Sequence, residues 1–332
     1  MSPRISVILP AYNVEAYITQ ALDSLLNQPI PLHQVIVLND GSTDGTLALL
    51  QNRYSDRAEL KIVSQDNQGV GAARRHGLLL ADGDFVFFCD PDDLVAPELF
   101  SEFVKSYQVN PELELFYFSK RSFIDGPDGL ELQRRNTAAS REGWFETGGA
   151  LLEDLILSGK YNAATWQYIF RRAVCERFIV RLEGRAHEDH AFSMGIYLNG
   201  KATYASSSDL YFYRERTGSL TQSKKDVRYV MDSYAAYRNT LAELRPHIPR
   251  LNQGRKVALH FMERNINALI TKCIKFDVKL PQKLTHLSWT DARDCGINIP
   301  TRWTVAFPRV VYMVRRSRFA IRSLMKGSRR VV

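Results

Sequence analysis

The sequence predicts an α/β fold, in which a mostly parallel sheet flanked by helices is followed by a mainly helical C-terminal region. The first hundred or so residues alternate short apolar runs with segments of helical length, and the runs are apolar throughout rather than at every second position. Continuous hydrophobicity is typical of parallel strands that are covered on both faces. From about residue 224 onward the pattern becomes mainly helical. With 45% hydrophobic and 24% charged residues, the chain has the composition of a folded globular protein.

The predicted elements alternate strictly between strand and helix, beginning with the strand "ISVILP" and its amphipathic helix "VEAYITQALDSLLNQ". In chain order they cover residues 5–10, 14–28, 34–40, 46–54, 60–65, 71–81, 84–90 and 96–107. Residues 119–150 are rich in Gly, Asp and Arg, which predicts loops.

The strand-to-helix junctions are polar, and they are the segments "PAYN", "NDGSTDGT", "DNQGVGAARR" and "DPDD". Ligands of open parallel sheets bind at the carboxyl ends of the strands, so these four junctions predict one functional site at one edge of the sheet.

The cysteines and the hydropathy of the chain indicate the cellular compartment in which we expect the protein. Cys89, Cys175, Cys273 and Cys295 are far apart without any C-x-x-C spacing, which predicts reduced core thiols rather than a disulfide or zinc framework. No run approaches the roughly 18 apolar residues that span a bilayer, and the first residues do not resemble a signal peptide. We therefore expect a cytoplasmic protein.

The net charge of +8 is concentrated at the C-terminus. Eight cations and no acid follow residue 308, and these are Arg309, Arg315, Arg316, Arg318, Arg322, Lys326, Arg329 and Arg330. Apolar residues interleave with them, as in a basic helix that lies on an anionic membrane surface. A nucleic-acid-binding arm and a merely solvated tail are the alternatives. We favour the inner face of the plasma membrane, and no nucleic-acid partner.

"DPDD" predicts a metal-diphosphate site. Asp90 and Asp92 are hard oxygen ligands one residue apart, and Pro91 stiffens the backbone between them. Alternatively, Asp92 or Asp93 caps a helix that begins near residue 96. Capping explains one acid, but not a cluster whose mutual repulsion costs stability unless a cation offsets it.

Two other chemistries fit the same sheet edge poorly. Gly69 and Gly71 open a helix, but Arg74 stands where the dinucleotide fingerprint has Gly or Ala, and the motif does not follow the first strand. A phospho-acceptor receiver domain is only about 120 residues long and needs a single phosphorylated Asp.

The motifs "ISVILPAYNVEAYITQALDSLLNQ", "VIVLNDGSTDGT", "NQGVGAARRHGLLLADGDFVFFCDPDD" and "HEDHAF" occur in this order, and together they resemble those of family 2 glycosyltransferases, which have the GT-A fold. The resemblance covers residues 4 to about 220. It implies a catalytic domain over 1–220 and a helical region over 221–332 whose basic tail covers about 308–332. The implied activity is inverting transfer from a UDP-sugar, with Mn²⁺ or Mg²⁺, to a glycan or lipid-linked acceptor of lipopolysaccharide, capsule or exopolysaccharide synthesis.

The resemblance also implies roles for individual residues. The nucleoside pocket is lined by Pro10, Ala11, Tyr12, Asn13 and Glu15. The donor contacts expected elsewhere are Asp40 (to the uracil ring), Gly41, Arg74, Asp90, Pro91, Trp166, Arg214 and Arg216. Asp90 and Asp92 match the Asp-x-Asp metal pair, and Asp93 lies behind them.

Asp189 is the catalytic base that the resemblance implies, and Glu188 is assigned to acceptor binding or to support of the base. Alone, such a pair more often stabilises a helix N-terminus. His187 and His190 flank the pair, and we expect them to be solvated or supporting rather than metal-binding.

One position departs from the family pattern. Many members have a His about where this chain has Arg216, and that His completes the metal site. Arg216 cannot bind a cation, but with Arg214 it can contact a diphosphate as a planar donor. Trp166 is expected beside the sugar or acceptor, with core packing as the alternative. The rival functions are a catalytically silent nucleotide-sugar-binding domain and a sugar nucleotidyltransferase.

Overall fold

The computed structural model describes residues 2–126, 129–136, 141–182, 187–216, 227–280, 284–297 and 303–327. The chain divides into two compact units, residues 1–223 and 224–332. The first unit is a mixed α/β structure and the second is helical. The predicted fold class is therefore confirmed.

The first unit contains ten strands and six α-helices among its described residues. They are β1 (Ile5–Ala11), α1 (Ile18–Leu26), β2 (Gln34–Asp40), α2 (Thr46–Tyr54), β3 (Leu60–Gln65), α3 (Val70–Leu80), β4 (Phe85–Phe88), β5 (Leu94–Val95), α4 (Leu99–Val109), β6 (Leu115–Gly126), β7 (Gly129–Asn136), β8 (Gly143–Phe145), α5 (Gly148–Leu157), β9 (Tyr168–Arg171), α6 (Asp189–Asn199) and β10 (Thr203–Arg214).

The strands form one sheet with the order β3-β2-β1-β4-β9-β6-β10-β5, to which β7 adds beside β6 and β8 beside β10. β1 to β4 are mutually parallel where they pair, while β9 is antiparallel to both of its neighbours. Because β9 reverses direction between β4 and β6, those two strands point the same way. Their carboxyl ends therefore lie at the same edge of the sheet.

Successive side chains of β4 show that both faces of the sheet are covered. Phe87 packs edge-on against Phe100 of α4, whereas Phe88 packs edge-on against Phe192 of α6. All four residues of the strand are buried. This explains why β4 is apolar throughout and not only at alternate positions.

Two predicted helices begin later than expected. The backbone N–H of Ala96 donates to Leu210 O (3.0 Å), which is a strand-like contact, so α4 begins only at Leu99. Likewise, Val14 to Tyr17 form a turn before α1, because the Val14 N–H bonds to Thr46 Oγ1 (3.0 Å).

The prediction of loops over residues 119–150 was wrong for much of that segment. β6 and β7 form an antiparallel hairpin there, and β8 adds to β10. The strands of this hairpin are antiparallel and half-exposed, and they carry charged residues. The segment therefore has the polar composition of a loop.

The second unit contains α7 (Val227–Leu244), α8 (Gly254–Lys275), α9 (Leu284–Asp294), α10 (Trp303–Ala306) and α11 (Pro308–Gly327) among its described residues. The buried carboxylate of Asp291 lies near its centre and pairs with Arg238 and Arg245. None of the described helices has the length and hydropathy needed to cross a membrane.

All four cysteines are free thiols, as predicted. Cys89, Cys273 and Cys295 are buried, whereas Cys175 is only half-buried and so is not a core residue.

Gly77 fixes how closely α3 approaches the sheet. A Cβ added there would lie 2.3 Å from Ile8 Cγ2 and 3.1 Å from Leu38 Cδ2, both on central strands. We expect Gly77→Ala to lower the free energy of unfolding, because overpacking costs about 1–3 kcal/mol and the gain in helix propensity returns at most about 1 kcal/mol. Denaturant titration measures the change.

Leu79→Ala is the matched control, because Leu79 lies on the same helix and is 77% exposed. We expect it to change stability by less than about 0.5 kcal/mol. Equal stability of Gly77→Ala and the parent protein would show that α3 does not depend on this close approach.

Candidate active site

The predicted polar junctions do meet at one edge of the sheet. Asn13 and Asp90 follow β1 and β4, and Asp40 is the last residue of β2; these three strands are adjacent and parallel. The loop after β3 joins them, because the side chain of Asp40 is bonded to it.

Asn13 and Glu15 hold the loop after β2. Asn13 Oδ1 accepts from the N–H of Thr43 (2.8 Å), and Glu15 Oε2 accepts from the N–H of Gly45 (2.9 Å). The side chains of Asn13 and Glu15 are therefore both hydrogen-bonded within the protein. Tyr12 is different, because its side chain is 47% exposed beside this loop and leaves an aromatic face open.

Pro10 and Ala11 are buried within β1, so only the strand's backbone reaches the edge at these two predicted positions. They set the direction in which Tyr12 leaves the sheet.

Asp40 is buried and orders the loop that leads into α3. Its Oδ1 accepts from Gln65 Nε2 (2.8 Å) and from the N–H of Gln68 (2.9 Å), while its Oδ2 accepts from the N–H of Gly69 (2.8 Å). A carboxylate oxygen has two lone pairs, so Oδ2 keeps one acceptor position beyond these three bonds.

Gly41 is required by geometry. Its φ of +69° lies in the left-handed region, and an added Cβ would lie 2.9 Å from the backbone nitrogen of Asn67. Any side chain would be strained there and would push apart the loops after β2 and β3.

Arg74 connects the two acidic motifs of the sequence. Its Nη2 donates to Asp90 Oδ1 (2.7 Å), and its Nη1 donates to Glu188 Oε1 (2.6 Å). Arg74 is buried, and the two negative charges raise its pKa above the usual range against the opposing effect of burial. A residue of α3 therefore joins the end of β4 to the start of α6.

Burial acts in the opposite direction on the two acids. It raises the pKa of Asp90 and of Glu188, and Arg74 only partly offsets this effect. Removal of water penalises the charged form of a carboxylate, while a nearby cation favours it.

Asp189 is the first residue of α6 and lies next to this bridge. Burial raises its pKa to about 6, with Arg74 opposing and the charge of Asp90 adding to the effect. The side chain is still 27% exposed, so a substrate can reach it. His190 Nε2 lies 3.9 Å from Asp189 Oδ1, which places a second titratable group beside the carboxylate.

Helix capping does not account for Glu188. Glu188 is the N-cap residue of α6, but its side chain makes no capping hydrogen bond and is directed to Arg74 instead. Asp189 does lie in the first turn, where its charge favours the helix dipole. The segment 183–186 before it lies outside the described residues.

The three carboxylates of "DPDD" have different environments. Asp93 is buried, and it accepts from Tyr211 Oη (2.7 Å) and from the N–H of Arg214 (2.8 Å). Burial raises its pKa well above the usual range. The alternative that Asp92 or Asp93 caps the following helix is wrong, since α4 has Glu98 at its N-cap.

Asp92 is paired with Arg216, which stands where the resemblance led us to expect a histidine. Arg216 Nε donates to Asp92 Oδ2 (2.7 Å), and the Arg216 guanidinium lies 4.8 Å from the ring centroid of Tyr17. Both charged side chains remain partly exposed. The residues that follow, 217–226, lie outside the described residues.

Arg214 is buried, and each of its three guanidinium nitrogens is bonded within the protein. Nε donates to Asp92 O (2.7 Å), Nη2 donates to Gln20 Oε1 (2.6 Å), and Nη1 pairs with Asp125. The geometry gives Arg214 the role of holding the loop that contains Asp92, and it does not bring the guanidinium to the exposed side of the site.

Trp166 is only 6% exposed and belongs to an aromatic stack. Its ring stacks on Tyr211 (centroids 4.4 Å apart, 7° between planes) and on Tyr213 (5.9 Å, 18°). Lys120 Nζ lies 4.6 Å from the Trp166 ring centroid. Little of the indole surface is left for a sugar. Trp144 packs against Tyr204 (5.1 Å) at another part of the sheet.

Two carboxylates remain for a divalent cation. One oxygen of Asp90 and one of Asp92 accept from arginines, and the other oxygen of each has no hydrogen-bond partner among the described residues. No group of three His, Cys, Asp or Glu side chains in the described ranges is arranged to hold a metal. These residues fit an ion such as Mg²⁺, which takes one or two carboxylates and fills its other positions with water and phosphate oxygens.

Sequence reasoning missed Tyr211 and Lys120. Tyr211 Oη accepts from the N–H of Asp90 (3.1 Å) while it donates to Asp93, so it braces both ends of "DPDD". The strand pattern of "LYFYR" was a signal, because it places Tyr211 on a buried face. No motif marked Lys120.

Comparisons with known proteins show the family to which the chain belongs. The family model described as glycosyl transferase family 2 matches residues 6–176. The chain is 27% identical to EpsJ of Bacillus subtilis, described as an uncharacterized glycosyltransferase, over 67% of this chain and 64% of that protein. It is 26% identical to a poly(ribitol-phosphate) beta-glucosyltransferase of Bacillus spizizenii, over 84% of this chain and 43% of that protein.

The fold is similar to that of S. aureus TarS 1-349, solved in complex with UDP-GlcNAc, with a TM-score of 0.75 and 22% identity. The superposed region covers 98% of this chain and 92% of that one. This likeness confirms the fold. The chain spans less than two thirds of the length of the first curated relatives that it matches.

Proposed function

Because the chain belongs to glycosyl transferase family 2, we propose that it transfers a sugar from a UDP-sugar, with inversion, to a hydroxyl of a glycan or lipid-linked acceptor. The observation that carries the proposal is the Arg74 bridge, which joins Asp90 at the donor edge of the sheet to the Glu188-Asp189 pair. A domain that only binds a nucleotide sugar has no need to hold a partly exposed carboxylate with a raised pKa at this place.

Asp189 is the proposed base. Its carboxylate removes the proton from the acceptor hydroxyl while that oxygen attacks the anomeric carbon, and the UDP leaves from the opposite side in the same displacement. A pKa of about 6 keeps the group ionised at neutral pH and makes it a stronger base than an ordinary aspartate. Glu188 and Arg74 position it, since Glu188 directly precedes Asp189 and is held by Arg74.

The nucleoside end of the donor is assigned to the loops after β1 and β2. Tyr12 offers an exposed aromatic side chain for the base ring, and Asp40 Oδ2 has one acceptor position for the N–H of uracil. Asn13 and Glu15 support this pocket through the loop that they hold, and Gly41 lets the loop pass close to Asn67.

The diphosphate is assigned to the edge formed by Asp90 and Asp92. These two residues would hold a Mn²⁺ or Mg²⁺ ion, and Asp93 stays behind them as a buried support. Such an ion supplies Lewis-acid neutralisation of the diphosphate leaving group. Arg216 is partly exposed and adjacent to Asp92, so its free guanidinium N–H groups are available to phosphate oxygens.

A donor panel tests the proposal. We expect hydrolysis or transfer from at least one UDP-sugar in the presence of Mn²⁺ or Mg²⁺, and loss of that activity with a chelator, as measured by UDP release. Activity with GDP- or TDP-sugars and none with UDP-sugars would remove the uracil role of Asp40. Full activity in the presence of a chelator would contradict the proposed requirement for a metal ion.

The base assignment predicts a selective loss of turnover. Asp189→Asn should lower kcat by about 10²–10⁴-fold, which is the range of general base catalysis, and should leave the affinity for UDP within about twofold of the parent. Asp56→Asn, at an exposed position of the same residue type, is the control for expression and folding. Turnover of Asp189→Asn at the parent rate would refute the assignment.

The same assignment predicts the pH profile. A base acts in its deprotonated form, so kcat/KM should rise tenfold per pH unit below about 6 and level off above it, following the pKa of Asp189. A profile that stays flat from pH 5 to 7 would contradict it.

The acceptor is proposed to lie at the inner face of the plasma membrane, in lipopolysaccharide, capsule or exopolysaccharide synthesis, because α11 is suited to an anionic membrane surface. One side of the helix packs within its unit, where Tyr312 Oη bonds to Val278 O (3.5 Å) and Arg316 pairs with Asp277 (2.8 Å). Val310, Met313 and Val314 are exposed on another side.

The spacing of these three apolar residues is i, i+3, i+4, which makes one stripe on a helix. Arg309 and Arg315 are exposed beside it. An apolar stripe between cations fits a headgroup region with negative charge. The side chains after Ser317 and the residues 328–332, which carry the other predicted cations, lie outside the described residues.

Vesicle binding tests this surface. The double substitution Met313→Ser and Val314→Ser should weaken binding to vesicles that contain anionic phospholipid by roughly thirtyfold, because each apolar side chain contributes on the order of 1 kcal/mol. Sedimentation with vesicles measures the bound fraction. Val109→Ser, at a 75% exposed position of α4, is the control. Equal binding of the double variant and the parent would contradict a membrane role for α11.

A further inference from the structure

Lys120 is a cation for which the proposed reaction has no role so far. It lies on β6, three residues beyond Tyr117, which pairs with Tyr168 of β9. Since β6 and β4 point the same way, Lys120, which is still paired within the sheet, lies toward the edge where Asp90 follows β4. Its position therefore belongs to the site and not to the opposite end of the sheet.

The surroundings of Lys120 are aromatic. Its Nζ lies 4.6 Å from the ring centroid of Trp166, which is itself stacked on Tyr211 and Tyr213. Lys120 is half-buried, and its ammonium group forms no ion pair or hydrogen bond with the residues that the structure describes. A cation–π contact offsets only part of the loss of water around an ammonium group.

The pKa of Lys120 also indicates that its positive charge is poorly compensated. Burial lowers the pKa of Lys120 to about 8, and the charge of the buried Asp93 only partly opposes this shift. By contrast, the arginines of the site, Arg74, Arg214 and Arg216, each pair with a carboxylate. Lys120 differs from them because its ammonium has no carboxylate partner in the part of the chain that the structure describes.

We infer that Lys120 binds an anionic oxygen group, a carboxylate or a phosphate, on the sugar or acceptor portion of the substrate. This inference rests on the proposed function, and it adds that the sugar or the acceptor carries a negative charge. An anion at this position would pair with the half-buried ammonium and replace the water that it lacks. Trp166 has the supporting role of holding the lysine stem, since its own ring is covered.

The inference explains why Trp166 is buried at a place where a sugar-stacking residue was expected. A neutral sugar would gain from an open indole face, which the stack with Tyr211 does not leave. A charged substituent gains from the ammonium instead, and a hydrogen bond to a charged group is stronger than one between neutral groups. The substrate class that follows is an acidic or phosphorylated sugar, carried by the donor or by the acceptor.

Matched ligands test the inference on the full chain. UDP-glucose and UDP-glucuronate differ only in the replacement of a hydroxymethyl group by a carboxylate, and they probe the donor. Methyl glucoside, methyl glucuronide and glucose 6-phosphate, each titrated into the UDP-saturated protein, probe the acceptor. Calorimetry measures the donors, and NMR saturation transfer measures the weaker acceptors.

We expect an anionic probe to bind about tenfold more tightly than its neutral counterpart in one arm, which is the effect of one charged hydrogen bond. Lys120→Met should abolish this preference, Lys120→Arg should largely keep it, and all variants should bind UDP itself as the parent does. Lys120→Gln serves as a second neutral variant if Lys120→Met does not fold. Lys105→Met, at an exposed position, is the control.

The outcomes separate the two proposals. The arm that shows the preference identifies donor or acceptor as the source of the charge. Absence of any anionic preference in the parent protein, with UDP binding intact, would overturn this inference alone. Loss of UDP affinity in Lys120→Met would also overturn it, because it would place the lysine on the diphosphate. Failure of the parent protein to bind UDP would overturn the proposed function.

Discussion

The buried ion bridge of Arg74 is the interaction on which the rest of the site depends. One guanidinium links Asp90 and Glu188, which are 98 residues apart in the chain. Removing a single partner from a buried ion pair typically costs about 3–5 kcal/mol, because the other charge is left without compensation. Removal of Arg74 would leave two buried carboxylates, those of Asp90 and Glu188, without a cation. The bridge therefore constrains the position of the proposed base relative to the donor edge.

The bridge depends in turn on small residues of α3. An added Cβ at Gly71 would lie 2.6 Å from Leu182 O and 3.0 Å from Glu188 Cγ, so this helix turn passes directly against the segment that precedes α6. Gly77, less than two turns later, permits the close contact with β1 and β2. Together the two glycines place α3 between sheet and loop, with Arg74 directed at both acids. Gly71 and Gly77 both lower the helix propensity of α3, but they allow the helix to pack this closely against its neighbours.

The sequence was sufficient to predict the first half of the fold and the meeting of the polar junctions at one edge of the sheet. Continuous apolar runs followed by polar junctions depend only on local pattern, and four such junctions in parallel strands must share an edge. The partners within the site were not predictable in this way. Tyr211 contacts Asp93 across 118 residues, and no spacing rule encodes a contact of that range. The β6–β7 hairpin was missed for a different reason, since half-exposed strands have the polar composition of loops.

Arg216 stands where the sequence resemblance led us to expect a histidine, and it changes the charge balance at the edge where we propose a metal. A neutral imidazole would leave Asp92 with its full charge for a cation, whereas Arg216 already compensates one oxygen (2.7 Å). Asp90 is compensated by Arg74 in the same way. Each carboxylate thus keeps one oxygen for a divalent ion, and two arginines reduce the local negative charge that attracts it. A metal held on these terms depends more on the donor's phosphates than on the protein, so nucleotide and cation should bind together rather than in either order.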